Sequence, residues 1–118
     1  MRVLNFSHTK GIPEGAIYIG RNARIWAESG QTGAPRYGNP FVMGRDGNRE
    51  EVVAKHRAWL EEQMKSYEFC NQMLEDLAGK DLVCHCAPEA CHGHTLREKV
   101  LELQAARERA LQTPERTA

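Results

Sequence analysis

The spacing of apolar positions along the chain changes several times, and each change marks an element. Residues 3–6 and 16–19 are short apolar runs rich in strand formers, separated by Lys10-Gly11-Ile12-Pro13-Glu14-Gly15, a stretch with turn chemistry. Two strands are expected there. From residue 20 to residue 47 no period persists, and glycines together with Pro35 and Pro40 punctuate the segment. A connection of that length in a compact domain is usually functional or disordered. A helical period then takes over. Asn48 is a candidate cap, Glu51 closes a capping box three residues later, and Val52, Val53, His56, Trp59, Leu60 and Met64 fall on one stripe. After a break at Ser66, residues 67–77 carry a second, shorter helical pattern that places Cys70 in the core and stops at Gly79.

Residues 81–86 alternate as a strand, which puts Cys84 and Cys86 on one face and His85 on the other. The last helix has two candidate starts, one near residues 91–93 and one at Thr95, which with Glu98 would form another capping box. Its buried stripe is Leu96, Val100, Leu103, Ala106 or Arg107, and Ala110. Residues 112–118, with Pro114 and charges, read as a frayed tail, leaving residues 1–111 as one domain. This order of elements predicts a small single-domain α/β fold: a sheet of three or more strands, parallel or mixed, with helices packed on it in Rossmann-like layering.

Length and composition narrow the function classes. A chain of 118 residues is expected to build one core, and 41% hydrophobic with 27% charged residues suits a globular domain rather than a disordered or fibrous one. Sixteen basic residues balance sixteen acidic ones, so no global field gathers phosphate backbones or anionic lipids. Nucleic-acid contact is therefore a third-ranked reading, resting on Arg21, Arg24, Arg36 and Arg45 in the long loop. With no signal-like N-terminus and no apolar run of about 18 residues, a cytoplasmic protein without a membrane partner is expected.

The chemistry concentrates between Cys84 and His94, where Cys84, His85, Cys86, Cys91, His92 and His94 supply six candidate ligands within eleven residues. Three readings compete. Thiolates and imidazoles suit zinc, with Cys84, Cys86, Cys91 and His92 or His94 as the tetrahedral set. Alternatively, the end of a strand leads into a helix whose free amides and dipole attract anions and activate a thiol. Cys91 with His92, or Cys86 facing them, would then act as nucleophile and acid/base. Cys91 and Arg97 also stand at the Cys-x5-Arg spacing of phosphatases, without the glycine-rich loop between them. In the third reading the cysteines merely fill the core, the histidines cap the helix or meet solvent, and His85 is a surface or packing residue.

Two motifs together, Tyr18-Ile19-Gly20-Arg21 followed by Gly38-Asn39-Pro40-Phe41, and Cys84-x-Cys86-Ala87-Pro88-x-x-Cys91-His92-Gly93, resemble a family of phage and bacterial genomes known as domain of unknown function 4326. The resemblance covers roughly residues 3–104 and includes Gly47-Asn48-Arg49-Glu50 at the entry to the first long helix. It departs at His85, where the family carries an aromatic, at His94, where it carries an aspartate, and at residues 23–34, which look inserted. The resemblance implies site positions without a reaction: Arg21, Asn39, Arg49 and Gly93 join the cysteine turn as candidate ligand-binding residues. Arginine forks suit phosphate or carboxylate. The expected function is binding or processing of a small phosphorylated ligand such as a nucleotide, and the alternative is a zinc-binding interaction module.

Overall fold

Extended backbone forms where β-branched and aromatic side chains cluster, at β1 (Val3–Asn5), β2 (Ala16–Tyr18) and β3 (Asp81–Cys84). The three make one sheet in the order β1-β3-β2, and both neighbouring pairs are parallel. This is the small α/β domain expected from the sequence. The computed structural model describes residues 1–9, 11–20, 22–28, 37–85 and 91–112.

β3 is the central strand, and Leu82, Val83 and Cys84 are all fully buried, as a parallel strand covered on both faces requires. Leu82 pairs with Val3 and Ile17, and Val83 with Leu4 and Tyr18. Residues paired in this way share a face of the sheet. Val3, Ile17, Leu82 and Cys84 therefore face the main core, where Leu60, Met73, Leu77, Leu96 and Val100 close over them. Tyr18 and Val83 lie on the opposite face.

Two of the helices follow the predicted pattern. α3 (Arg49–Gln63) starts at the capping box: Asn48 Oδ1 accepts the Glu51 amide at 2.9 Å, and Glu51 Oε1 accepts the Asn48 amide at 2.9 Å. α4 (Tyr67–Leu77) is capped by Ser66 Oγ and ends at Gly79, whose φ of +75° suits a residue without Cβ. Cys70 on α4 is buried, its thiol donating to the Met64 carbonyl.

Elsewhere the structure departs from expectation. A short helix, α1 (Phe6–Thr9), replaces the end of the first predicted strand, because Asn5 Oδ1 accepts the Ser7 amide and turns the backbone. Inside the stretch from 20 to 47, α2 (Ala23–Glu28) forms because Asn22 Oδ1 accepts the amides of Arg24 and Ile25. α5 (His92–Gln112) takes the earlier of its two candidate starts. Thr95 is buried within its first turn rather than capping it. The stripe on α5 is buried at Leu96 and Val100 and partly buried at Leu103 and Arg107, whereas Ala106 and Ala110 are exposed. The reason is length. A helix of 21 residues is about 32 Å long, whereas strands of three or four residues span only about 10–13 Å, so α5 outruns the layer beneath it. Among the described residues no helix is long and apolar enough to cross a membrane.

Because the core ends near Leu103, truncations on α5 should divide sharply. Leu96→Ala is expected to cost about 2–5 kcal/mol by chemical denaturation. Leu111→Ala, at an exposed position, should stay within about 0.5 kcal/mol. Comparable losses at both sites would contradict the burial described.

Candidate functional site

The carboxyl ends of the strands open onto three segments that fold over one another. The first leaves β2. Gly20 is needed there because a Cβ would stand 2.2 Å from Tyr18 Oη, so the chain doubles back across its own tyrosine. That hydroxyl lies 2.8 Å from His85 Nε2 and accepts the Asn22 amide at 3.2 Å. The Phe6 ring packs against both Tyr18 and His85.

The second segment is the loop that enters α3. Asn39 is buried, its Nδ2 donating to the Val52 carbonyl and its Oδ1 accepting the Phe41 amide, both at 2.9 Å. This Asx turn binds the loop to the helix it precedes. Asp46 braces the far side. Its carboxylate accepts from Arg45 Nε and from the Val42 amide, and these two bonds, the arginine first, hold its pKa below the usual carboxylate range. Lys55 Nζ donates to the Asp46 carbonyl. The loop so held presents Phe41 and Met43 on one wall and Arg49 at the first position of α3.

The third segment is the cysteine turn. Cys91 Sγ accepts the Gly93 amide at 3.3 Å while its carbonyl accepts the His94 amide at 3.0 Å, so Cys91 caps α5 with sulfur. His92 Nε2 lies 2.8 Å from the Ile19 carbonyl. A carbonyl only accepts, so Nε2 carries the hydrogen, and Nδ1 is left 3.7 Å from Cys91 Sγ. The sulfurs of Cys84 and Cys91 are 2.9 Å apart. Gly93 lets α5 sit down on the sheet, since a Cβ there would stand 2.9 Å from both Ile19 Cδ1 and Val3 Cγ1.

Behind His92 stands a second imidazole that the sequence presented only as part of an apolar stripe. His56 is fully buried, its ring centroid 5.1 Å from that of His92. Its Nε2 faces the Tyr37 carbonyl at 3.1 Å, and its buried Nδ1 has no hydrogen-bond partner among the described residues. Burial, helped by His92, pushes the His56 pKa from 6.5 down to about 4, against the Tyr37 carbonyl, which acts to raise it.

These segments enclose a cleft of about 470 Å³ at the carboxyl edge of the sheet. Cys91, His92, Asn39 and Arg49 all line it. Asn39 does so with both ends of its carboxamide bonded to backbone. Cys84 lies behind Cys91 in the core, and Gly93 lies beneath, against Val3 and Ile19. Arg21 and Cys86 fall outside the described residues, as does Arg36 of the loop arginines. Arg24 is exposed, and Arg45 pairs with Asp46. His94 lies outside this cleft, in a neighbouring depression with Arg97. Among the described residues no group of three or more His, Cys, Asp and Glu side chains is arranged to hold a metal ion. The cleft also takes in Met43, the motif residues Tyr18 and Phe41, and His85, which the sequence favours as a surface or packing residue. Only the strand alternation at residues 84–86 set His85 apart from the cysteines, and it gave no sign that His85 meets Tyr18.

The buried imidazole gives a pH test. His56 is neutral when folded and takes up a proton below 6.5 when unfolded, so its contribution is complete above pH 6.5 and is lost as pH falls toward about 4. Denaturant midpoints measured across that window should fall with a slope of up to about 1.4 kcal/mol per pH unit from this group. His56→Gln should flatten that part of the profile. An unchanged profile in the variant would place the titration elsewhere.

The family model described as domain of unknown function 4326 matches residues 4–102 of the chain. No curated protein and no solved structure matches it. The matched span runs from β1 into α5 and takes in every segment that lines the cleft. The chain belongs to the domain of unknown function 4326 family.

Proposed function

We propose that the chain binds a small phosphorylated ligand of the nucleotide type in the cleft at the carboxyl edge of its sheet. The observation that carries this reading is convergence. An apolar wall of Phe41, Met43, Val52 and Val53 lines one cavity together with Arg49 and with Cys91 and His92 at the start of α5. A volume of about 470 Å³ falls among small-ligand sites, which are mostly apolar with a few placed polar groups. The open edge beyond parallel strands, where a helix begins, is also where α/β folds gather anionic ligands.

In this reading the apolar wall takes a planar base, and the phosphate meets Arg49 and the amides at the start of α5. Cys91 and His92 stand at the phosphate end, so any chemistry on the ligand falls to them. His92 is oriented for it: its Nε2–H is tied to the Ile19 carbonyl, and its Nδ1 faces the thiol.

A zinc-binding module without catalysis is the second reading, favoured by the two close sulfurs and by His92 itself. Metal-bound imidazoles commonly donate their other N–H to a backbone carbonyl, as His92 does to Ile19. Elemental analysis of protein purified without chelator decides the matter: about one zinc per chain, with unfolding on chelation, supports this reading. Folded protein free of metal excludes it.

Thermal unfolding with a panel of nucleoside phosphates tests the first reading. A ligand at about 100 times its Kd should stabilise the fold by about 2.7 kcal/mol. Arg49→Ala should weaken binding roughly tenfold to a hundredfold, the value of a charge-assisted hydrogen bond. A panel that leaves the transition unmoved rejects the proposal.

A further inference from the structure

The two sulfurs at the base of the cleft stand in different surroundings. Cys91 Sγ caps a 21-residue helix, accepts the Gly93 amide, faces His92 Nδ1 and lines the cleft. A helix start and an adjacent imidazole both stabilise negative charge on sulfur, the condition under which a cysteine becomes reactive. Cys84 closes β3 and is fully buried; Cys91 is only 1% exposed and packs in the same apolar cluster, around Ile19, Leu82 and Leu96, but with its edge on the cleft. The sulfurs are 2.9 Å apart, and closing to the bonded distance of about 2.05 Å requires a movement of only about 0.9 Å.

We propose that Cys84 and Cys91 form a redox-active pair: peroxide oxidises Cys91 from the cleft, and Cys84 resolves the product into a disulfide. The assignment goes beyond ligand binding and does not depend on it. In the first step the Cys91 sulfur attacks one oxygen of hydrogen peroxide. An S–O bond forms and the O–O bond breaks. The thiol proton passes by way of His92 Nδ1 to the departing oxygen, which leaves as water. In the second step the Cys84 sulfur attacks the Cys91 sulfur; an S–S bond forms, the S–O bond breaks, and the hydroxyl leaves with the Cys84 proton as a second water. Two thiols have lost two electrons and one peroxide has gained them. A dithiol reverses the change by exchange.

Bonding draws the Cys91 sulfur toward β3, away from the Gly93 amide and from His92 Nδ1. The anion-facing start of α5 is thereby altered and tied covalently to the strand beside it. His85 and His94 are the other histidines near the turn. His85 is engaged with Tyr18, and His94 lies in the neighbouring depression, so the imidazole that serves the sulfur is His92.

The test treats the reduced full chain with hydrogen peroxide and reads intact mass and a peptide map. A mass lower by two hydrogens, with Cys84 joined to Cys91, is expected in the wild type and in Cys86→Ser. Cys84→Ser should instead accumulate sulfenic acid on Cys91, trapped as its dimedone adduct. If Cys84→Ser does not fold, the wild-type map and Cys86→Ser decide alone. A chain that forms no disulfide, a Cys91 joined to any other cysteine, or zinc found holding both sulfurs as thiolates overturns the proposal. Nucleotide binding that survives such a result would leave the ligand reading standing.

Discussion

The hydrogen bond from His92 Nε2 to the Ile19 carbonyl joins the first residue of α5 to the chain leaving β2, and the arrangement of the cleft depends on it. It fixes the imidazole in one tautomer, points Nδ1 at Cys91, and holds the helix start over the edge where three parallel strands end. The packing beneath agrees with it. Gly93 allows helix and sheet to approach until Val3 and Ile19 fill the space a side chain would take, and Cys91 comes to rest on Cys84. An anionic partner placed at that edge meets the positive end of the α5 dipole, which is the physical basis for reading the edge as a binding site.

The other wall is rigid for a different reason. The loop before α3 sets Tyr37 into the core, and its polar groups are bonded into a frame: Asn39 to Val52 and Phe41, Asp46 to Val42 and Arg45, Asn48 to Glu51. Side-chain to backbone bonds of this kind organise turns that have no regular ladder. Behind both walls His56 remains neutral among core side chains. A buried imidazole that resists protonation costs stability at low pH, and this one stands directly against His92, one layer into the core.

Much of this was legible in the chain. The stripe from Val52 to Met64, the Asn48 and Glu51 box and the Ser66 break each state a local rule that tertiary packing obeyed, and the strand expected at residues 81–86 forms over Asp81–Cys84, buried on both faces rather than one. α2 was missed because its signal is a cap, Asn22, without a period long enough to notice. The far end of α5 was overread because periodicity shows which face of a helix is apolar and cannot show how far the sheet beneath extends. At the site, Cys91, His92, Asn39 and Arg49 were selected from sequence and share the cleft. Gly93 lies against the sheet, and a glycine in a motif looks the same whether a ligand or a neighbouring side chain needs the space. His85 was set aside since strand alternation turned it away from the cysteines. Its partner Tyr18 lies 67 residues away and is reached only through the parallel pairing of β2 with β3.

The ends of β2 and β3, the loop before α3 and the start of α5 meet in one cleft. An amide-resolved NMR titration of the reduced chain with a nucleoside phosphate tests directly whether they act as one site. If they act as one site, saturable shifts are expected at Gly20, Asn22, Phe41, Arg49, Cys91, His92 and Gly93 with a single dissociation constant, while amides of α4 and of the far half of α5 stay in place. Shifts scattered over the surface, or confined to one of these segments without the others, would contradict it.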